Sequence, residues 1–139
     1  MRFLLDTNVI SEVRKPAGSA TVKRWLASVR GADLYLSVLV VGEIRQGVER
    51  LRGRDPVQAE VYERWLATLG RDYAARVLPI STAVAEVWGR LNAERPLPVV
   101  DGLLAATALV HELTLATRNV SDVAHTGVSL IDPFNPGSS

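Results

Sequence analysis

Phe3-Leu4-Leu5-Asp6-Thr7-Asn8 is the stretch of sequence that decides the fold. Its three apolar residues form a continuous run, which is typical of a strand buried on both faces of a parallel sheet. The polar residues that follow make a turn, and Thr7 or Asn8 can cap a helix that begins there. The segment therefore predicts a strand that leads into a helix, with Asp6 at the carboxyl end of the strand.

The remaining sequence alternates short strands with helices. Further strands are predicted at residues 34–36, 77–78, 114–117 and 129–131, and helices after Ser37, after Asp55-Pro56, and at 81–94 and 99–113. This alternation is typical of a parallel sheet covered by helices on both faces. The sequence therefore predicts an α/β fold, a three-layer α/β/α sandwich around a central parallel sheet of short strands. We expect one domain over residues 1–134 and a flexible tail at 135–139.

Apolar spacing predicts the buried face of two helices. The helix after Ser37 carries one stripe of apolar residues, at Val41, Ile44, Val48 and Leu51. The helix that starts at Asp55-Pro56 carries a similar stripe, at Val57, Val61, Trp65 and Leu69. Gly70 follows that stripe directly and is expected to end the second helix.

Composition excludes several kinds of site. The 139 residues include no cysteine, which rules out disulfides, a thiol nucleophile and a cysteine zinc site, and they include only two histidines. Metal chemistry would therefore depend on oxygen ligands, which favour hard cations such as Mg²⁺ or Mn²⁺. No segment has the length and apolar character of a membrane span or an export signal. We therefore expect a cytoplasmic protein.

Four acidic residues are expected near the same edge of the sheet. Asp6 follows the first strand, and Glu43 lies in the helix after the second. Asp101 begins the helix before the fourth strand, and Asp122 follows that strand together with Asn119. Ligands of parallel α/β sheets bind beyond the carboxyl ends of the strands, so we expect these side chains to lie close together.

Each acid also has an ordinary structural interpretation, but a group of them needs positive charge. Asp6 alone could be a helix cap, Glu43 an exposed ion-pair partner and Asp122 a turn residue. Two carboxylates about 5 Å apart repel by about 3 kcal/mol at an effective dielectric constant of about 20. Three or four cannot all stay ionised near neutral pH unless a cation lies among them. Arg118 is the most obvious intrinsic cation, but we favour a divalent metal ion.

Carboxylate-held Mg²⁺ or Mn²⁺ is suited to the hydrolysis of phosphodiester bonds. Such an ion orients and acidifies water and offsets charge on the phosphate. The net charge of the chain is only +1, but 14 of its 16 basic residues are arginine. Arginine side chains match phosphate oxygens, and they could hold the backbone of a polyanion near an acidic cleft.

Other enzymes with an aspartate after the first strand do not match this sequence. A haloacid-dehalogenase-like phosphatase requires a second aspartate two positions later, where Asn8 stands. A receiver domain requires a late lysine, and no lysine follows Lys23. A phosphate-binding or dinucleotide-binding loop requires glycines in the first turn, and a serine hydrolase of the α/β class requires a Gly-x-Ser-x-Gly segment. The chain has neither.

Four blocks of sequence resemble the PIN-domain ribonucleases, specifically the VapC toxin family and its FitB-like branch. The blocks are residues 3–12, 37–47, 101–108 and 115–122, so the resemblance covers essentially the whole chain. It implies that the metal-holding and catalytic acids are Asp6, Glu43, Asp101 and, in the more variable fourth position, Asp122. It implies supporting roles for the polar residues Thr7, Asn8, Thr117 and Asn119. Arg45 and Arg118 lie within the same blocks and are candidates for contacts with RNA phosphates.

The resemblance also implies an activity and partners. Similar proteins are Mg²⁺- or Mn²⁺-dependent endoribonucleases that cut RNA, often tRNA or rRNA, as toxins of type II toxin–antitoxin systems. They form homodimers and are silenced by a small VapB- or FitA-like antitoxin that carries DNA binding. Two alternatives are left open: a catalytically silent PIN scaffold that acts through protein contacts, and a housekeeping nuclease.

Overall fold

A five-stranded parallel sheet forms the centre of the structure, a computed structural model that describes residues 1–137. Its strands are β1 (Phe3–Leu5), β2 (Leu34–Ser37), β3 (Val77–Leu78), β4 (Thr114–Ala116) and β5 (Leu130–Ile131). Their order across the sheet is β3-β2-β1-β4-β5, and each neighbouring pair is parallel. The predicted α/β fold with a central parallel sheet is confirmed, and each predicted strand ends within one residue of its observed bounds.

Helices flank the sheet on its two faces. They are α1 (Thr7–Arg14), α2 (Ala20–Ser28), α3 (Val38–Arg52), α4 (Pro56–Asp72), α5 (Thr82–Glu94), α6 (Val99–His111) and α7 (Val120–Val123). Short 3₁₀ turns at Gly31–Asp33, Ala74–Arg76 and Ala124–Thr126 complete the chain. None of the helices described between residues 1 and 137 has both the length and the apolar character needed to cross a bilayer.

The core lies against both faces of β1 and its neighbours. Leu4, Leu5, Leu36, Leu104 and Leu115 are almost completely buried, which agrees with the continuous apolar runs of the sequence. Because every side chain of a central parallel strand meets a covering helix, such strands cannot use the alternating pattern of a half-exposed sheet. The sheet is therefore fixed from both sides, and its carboxyl ends are held in place.

Helix α2 has no counterpart among the elements predicted from the sequence. Ser19 caps it, because the Ser19 hydroxyl accepts a hydrogen bond from Val22 N at 3.2 Å. Val22 is fully buried, and Trp25 packs edge-to-face on Phe3 with ring centroids 4.9 Å apart. Contacts with the first strand therefore stabilise a segment whose own apolar pattern is weak.

The cap of α1 and the face of α4 differ from the predictions. Asp6 caps α1, because its Oδ1 accepts from Thr7 N at 2.7 Å. In α4, Val57 is 78% exposed, and the helix continues through Gly70 to Asp72. The buried residues of α4 are Ala59, Leu66 and Leu69. Packing beside α3 selects this face, whereas the valine lies on the first turn and reaches solvent.

The remaining predicted helix caps and helix ends agree with the structure to within two residues. Ser37 caps α3 and Asp55 caps α4, as expected, through bonds to Leu39 N and Gln58 N. Helix α6 ends at His111, two residues before the predicted end, because Glu112 adopts a left-handed conformation with φ of 54°. Of the predicted tail at 135–139, residues 138 and 139 lie outside the described residues.

Candidate active site

The carboxyl ends of β1, β2 and β4 meet at one edge of the sheet, because these strands are parallel neighbours. An open cleft of about 520 Å³ lies at this edge. Six of the residues predicted to form the site line it: Asp6, Thr7, Asn8, Glu43, Asp101 and Asn119. Asp6 follows the end of β1, and Thr7 and Asn8 begin α1. The helices α3 and α6 bring Glu43 and Asp101 to the cleft.

Asp6 is the most buried acid of the cleft, with 6% of its surface exposed. Thr7 N donates to its Oδ1 at 2.7 Å, and the Thr117 hydroxyl donates to its Oδ2 at 2.8 Å. The Asn8 side-chain amide lies 3.4 Å from the same Oδ2. Burial raises the pKa of Asp6, and these hydrogen bonds from the two threonines oppose that effect.

Further hydrogen bonds connect the polar residues around the acids. The Thr7 hydroxyl donates to Glu43 Oε1 at 2.6 Å and so joins α1 to α3. Arg118 N donates to Asn8 Oδ1 at 3.2 Å, and Asn119 N donates to the Thr117 hydroxyl at 3.0 Å. The bond from Arg118 N joins α1 to the loop after β4, and the bond from Asn119 N lies within that loop. They hold the predicted supporting residues in a single network.

Asp101 is the second acid whose charge is unfavourable in the fold. It is the third residue of α6 and is half-buried. Burial raises its pKa, the Asn119 side chain lowers it, and the charges of Asp122 and Glu43 raise it again. Asp122 is exposed on α7 and does not line the cleft. It lies close enough to Asp101 for its charge to raise the pKa of that acid.

No basic side chain compensates the four acids within residues 1–137. The ion pairs there involve other carboxylates, namely Glu12, Asp33, Glu49 and Glu63. Lys15 lines the cleft, but its ammonium group pairs with Glu12 at 3.0 Å. Two carboxylates with a raised pKa, those of Asp6 and Asp101, and two further acids without a paired cation among residues 1–137 form a donor set whose chemistry fits Mg²⁺ or Mn²⁺.

The side chains as placed do not form a coordination shell. Among residues 1–137, no three acidic or histidine side chains stand close enough together to enclose an ion. The fit to a hard cation therefore rests on the oxygen atoms that the cleft side chains offer as ligands and on the uncompensated negative charge of the acids.

The two predicted arginine contacts lie in different surroundings. Arg45 binds Glu63 at 2.6 and 2.7 Å and Glu49 at 3.0 Å, on the surface shared by α3 and α4, and the structure does not bring it to the cleft. The Arg118 guanidinium lies 3.6 Å over the ring of Phe134, next to the loop that holds Asn119. Arg118 is thus the one of the two that lies near the acids.

Sequence reasoning missed four residues of the cleft wall: Ser11, Lys15, Tyr62 and Val100. Ser11 and Lys15 follow Thr7 at intervals of four residues, so helical spacing could have placed them on the same side of α1. Tyr62 comes from α4, and no local pattern in the sequence connects that helix to the acids. Its place in the wall depends on how α4 packs against α3.

Comparison with known proteins agrees with this architecture. The PIN domain model matches residues 3–124. Toxin FitB of Neisseria gonorrhoeae is 34% identical over 138 residues, which are 96% of this chain and 99% of that protein. VapC ribonuclease Y4jK of Sinorhizobium fredii is 32% identical over 142 residues, 96% of this chain and 99% of that protein.

Solved structures agree as well. The crystal structure of FitAcB from Neisseria gonorrhoeae superposes with a TM-score of 0.88 at 34% identity and covers 95% of this chain and 98% of that one. The structure of FitAB bound to an IR36 DNA fragment gives a TM-score of 0.86 at 33% identity, with 95% of each chain covered. This chain therefore belongs to the PIN domain family, in the branch that includes the FitB and VapC toxins.

Proposed function

We propose that this chain is the toxin of a type II toxin–antitoxin pair, a cytoplasmic endoribonuclease that hydrolyses RNA phosphodiester bonds with Mg²⁺ or Mn²⁺. The observation that carries the proposal is that Asp6, Glu43 and Asp101 line one cleft and have no basic partner among residues 1–137. Relatives that match nearly the whole chain are named a toxin and a ribonuclease, which supports the same activity.

The acids have distinct proposed roles. Asp6 is held at both oxygens, so it supplies a fixed charge at the bottom of the cleft. Glu43 and Asp101 are less buried, and they could accept a proton or help to hold the ion. Asp122, exposed beside Asp101, is the fourth and outermost acid. Thr7, Asn8, Thr117 and Asn119 keep these carboxylates in position through their hydrogen bonds.

The reaction is the transfer of a phosphoryl group to water. The oxygen of water bonds to phosphorus, the bond from phosphorus to one ribose oxygen breaks, and that oxygen gains a proton while the water loses one. When bound, a divalent ion lowers the pKa of water and offsets negative charge on the phosphate. The cleft carboxylates can take up the proton that the water loses. Arg118 can contact a neighbouring phosphate.

The family relationship also supports a proposal about partners. We infer a small VapB- or FitA-like antitoxin that carries DNA binding, and a homodimer of this chain. The substrates to test first are tRNA and rRNA. Expression in a bacterial host should arrest growth, and co-expression of the antitoxin should relieve the arrest. Cleavage of RNA without growth arrest would instead favour a housekeeping nuclease.

The decisive experiment is RNA cleavage by the purified chain with and without Mn²⁺. Cleavage should stop when a chelator is added, and Asp6→Asn and Asp101→Asn should each lower the rate by at least about 100-fold, because each removes charge that the ion needs. Asp72→Asn, at an exposed acid at the end of α4, is the matched control and should cut normally.

Two outcomes would contradict the proposal. If either aspartate variant cut RNA at the parental rate, the assignment of the active site would be wrong. Alternatively, calorimetry could detect no binding of Mg²⁺ or Mn²⁺ to the folded chain, which would favour a catalytically silent scaffold. Circular dichroism of each variant checks that the fold is retained.

A further inference from the structure

A second cavity of about 360 Å³ opens beside the acidic cleft, between α1, α3 and α4. We call it the side pocket and define it by Ile44, Gly47, Val48, Gln58, Tyr62 and Trp65. Its remaining wall includes Thr7, Ser11 and Glu43, which, like Tyr62, also line the cleft. The two cavities are therefore continuous, and the hydrogen bond from Thr7 to Glu43 lies at their common boundary.

The floor of the side pocket is apolar and its side is aromatic. Ile44 and Val48 are buried beneath it. Tyr62 and Trp65 stand edge-to-face with ring centroids 6.3 Å apart, and both rings are partly exposed. A volume of this size has room for a flat ring system, and aromatic side chains are the usual stacking partners of unpaired bases.

The rim of the side pocket is polar and positively charged. The Gln58 amide offers a donor and an acceptor, which is the pattern needed to bond the edge of a base. Arg54 is exposed at the rim and forms no ion pair within residues 1–137. The Arg14 guanidinium lies 5.1 Å from the centre of the Tyr62 ring. Arg54 at the rim, with Arg14 next to one ring of the wall, complements a phosphate backbone.

We propose that the side pocket is a subsite for one nucleobase of the RNA, from the nucleotide next to the phosphodiester bond held at the acids. The proposal rests on the proposed function, because the bond at the acids fixes where the neighbouring base can reach. An apolar side chain of a protein partner would use the floor, but it would gain nothing from Gln58, Arg54 or the continuity with the cleft. The observations therefore favour a base.

Gly47 offers a way to fill the side pocket without touching the acids. It lies in α3 at the wall of the pocket, and beyond its chain neighbours and the nearby backbone of its own helix, a Cβ added there would have no heavy atom of the described residues within 4 Å. Gly47→Leu should therefore be tolerated by the fold and should occupy the space of the base. Gly70→Leu is the matched control, because Gly70 is also helical, exposed and open to an added Cβ, but it lines neither cavity.

The substrates are a short single-stranded RNA with one cut site and the same RNA with an abasic residue next to that site. Gly47→Leu should lower kcat/KM for the complete RNA by about 10- to 100-fold, the range of one stacked base, and should weaken the base preference beside the cut. On the abasic RNA, Gly47→Leu and the parental chain should cut equally. Calorimetry should show unchanged Mn²⁺ binding in Gly47→Leu, and Gly70→Leu should behave as the parental chain throughout.

RNA binding is measured separately, with a labelled pentaribonucleotide and the Asp101→Asn chain. Adding Gly47→Leu should weaken binding about tenfold or more. This result would support the subsite even if no cleavage were found and the proposed catalysis failed. Unchanged RNA binding and RNA cleavage in Gly47→Leu would contradict the base subsite. That result would instead favour an apolar side chain of a protein partner as the occupant of the pocket. Equal losses on the complete and abasic RNA would also overturn it.

Discussion

Asp6 combines burial with hydrogen bonds at both carboxylate oxygens. Burial raises its pKa, whereas the Thr117 hydroxyl and Thr7 N stabilise the charged form and so lower it. The charges of Asp101 and Glu43 act in the same direction as burial. Of these two hydrogen bonds, the larger effect on the pKa of Asp6 comes from the Thr117 side chain, which lies 111 residues away in the sequence.

Replacing this threonine should shift the pH dependence of cleavage. Thr117→Val removes the donor, raises the pKa of Asp6 further and leaves a larger fraction of Asp6 protonated at a given pH. The acid limb of the pH–rate profile should move to higher pH, and the rate at acidic pH should fall about three- to tenfold. The measurement is kcat/KM across the pH range.

Thr107→Val is the control for this substitution. Thr107 is also buried, but its hydroxyl donates to Leu103 O within α6 and does not contact the acids. Its pH profile should match that of the parental chain. An equal shift in both variants would mean that Asp6 is not the group that titrates.

At the scale of elements, the start of α6 depends on close packing against α5. A Cβ added to Gly102 would lie 3.2 Å from two atoms of the Trp88 ring and 3.3 Å from Leu97 Cβ. The turn before the helix is held by Asn92, whose side-chain oxygen accepts from Leu97 N at 3.1 Å. Since Asp101 precedes Gly102, this contact sets the position of the acid.

Gly102→Ala should therefore affect both stability and cleavage. Trp88 is a large, partly buried ring whose indole nitrogen is buried, and Leu97 is buried and tied to the turn, so a shift of either side chain is costly. We expect the free energy of unfolding to fall by about 1 kcal/mol, because the contact becomes overpacked, and cleavage to slow as Asp101 shifts. Urea unfolding and kcat measure the two effects.

The control for this element is Gly89→Ala in α5, where an added Cβ meets no heavy atom of the described residues within 4 Å beyond its chain neighbours and the nearby backbone of its own helix. This change should raise the free energy of unfolding by about 0.5–1 kcal/mol, because alanine loses less backbone entropy in a helix than glycine does. If Gly102→Ala were as stabilising as Gly89→Ala, this result would contradict the inference that α6 packs too closely on Trp88 to admit a Cβ at Gly102.

For the whole molecule, the acidic cleft is a source of instability that a bound cation should remove. The folded pKa values of Asp6 and Asp101 are raised, so the folded state binds protons more strongly than the unfolded chain does. Their contribution to stability is therefore lost as the pH rises from about 3.8, the ordinary value, through the raised values. At neutral pH both acids cost stability unless a cation is present.

Thermal unfolding with and without Mg²⁺ or Mn²⁺ tests this prediction. An ion at 100 times its Kd should stabilise the protein by about 2.7 kcal/mol, and the effect should shrink in acid as protons compete with the ion. Asp101→Asn should unfold at a higher temperature than the parental chain when both are free of metal at neutral pH. The same variant should lose most of the stabilisation by the ion; retention of the full effect would place the ion elsewhere.

Local sequence determined the strands, most caps and the α/β fold. Continuous apolar runs specify strands buried on both faces, and residues such as Ser37 and Asp55 act on the backbone within three positions. The meeting of acids at the carboxyl edge was also predictable, because parallel topology places all strand ends of one kind together. The catalytic role of these acids stays a prediction.

Tertiary packing alone decided the rest. Helix α2, the buried face of α4, the pairing of Arg45 with Glu63 and the place of Tyr62 all depend on contacts between elements that are distant in the chain. The side pocket has the same origin, because its walls come from three helices. Apolar periodicity shows that a helix has a buried side, but only the neighbouring helix determines which residues that side includes.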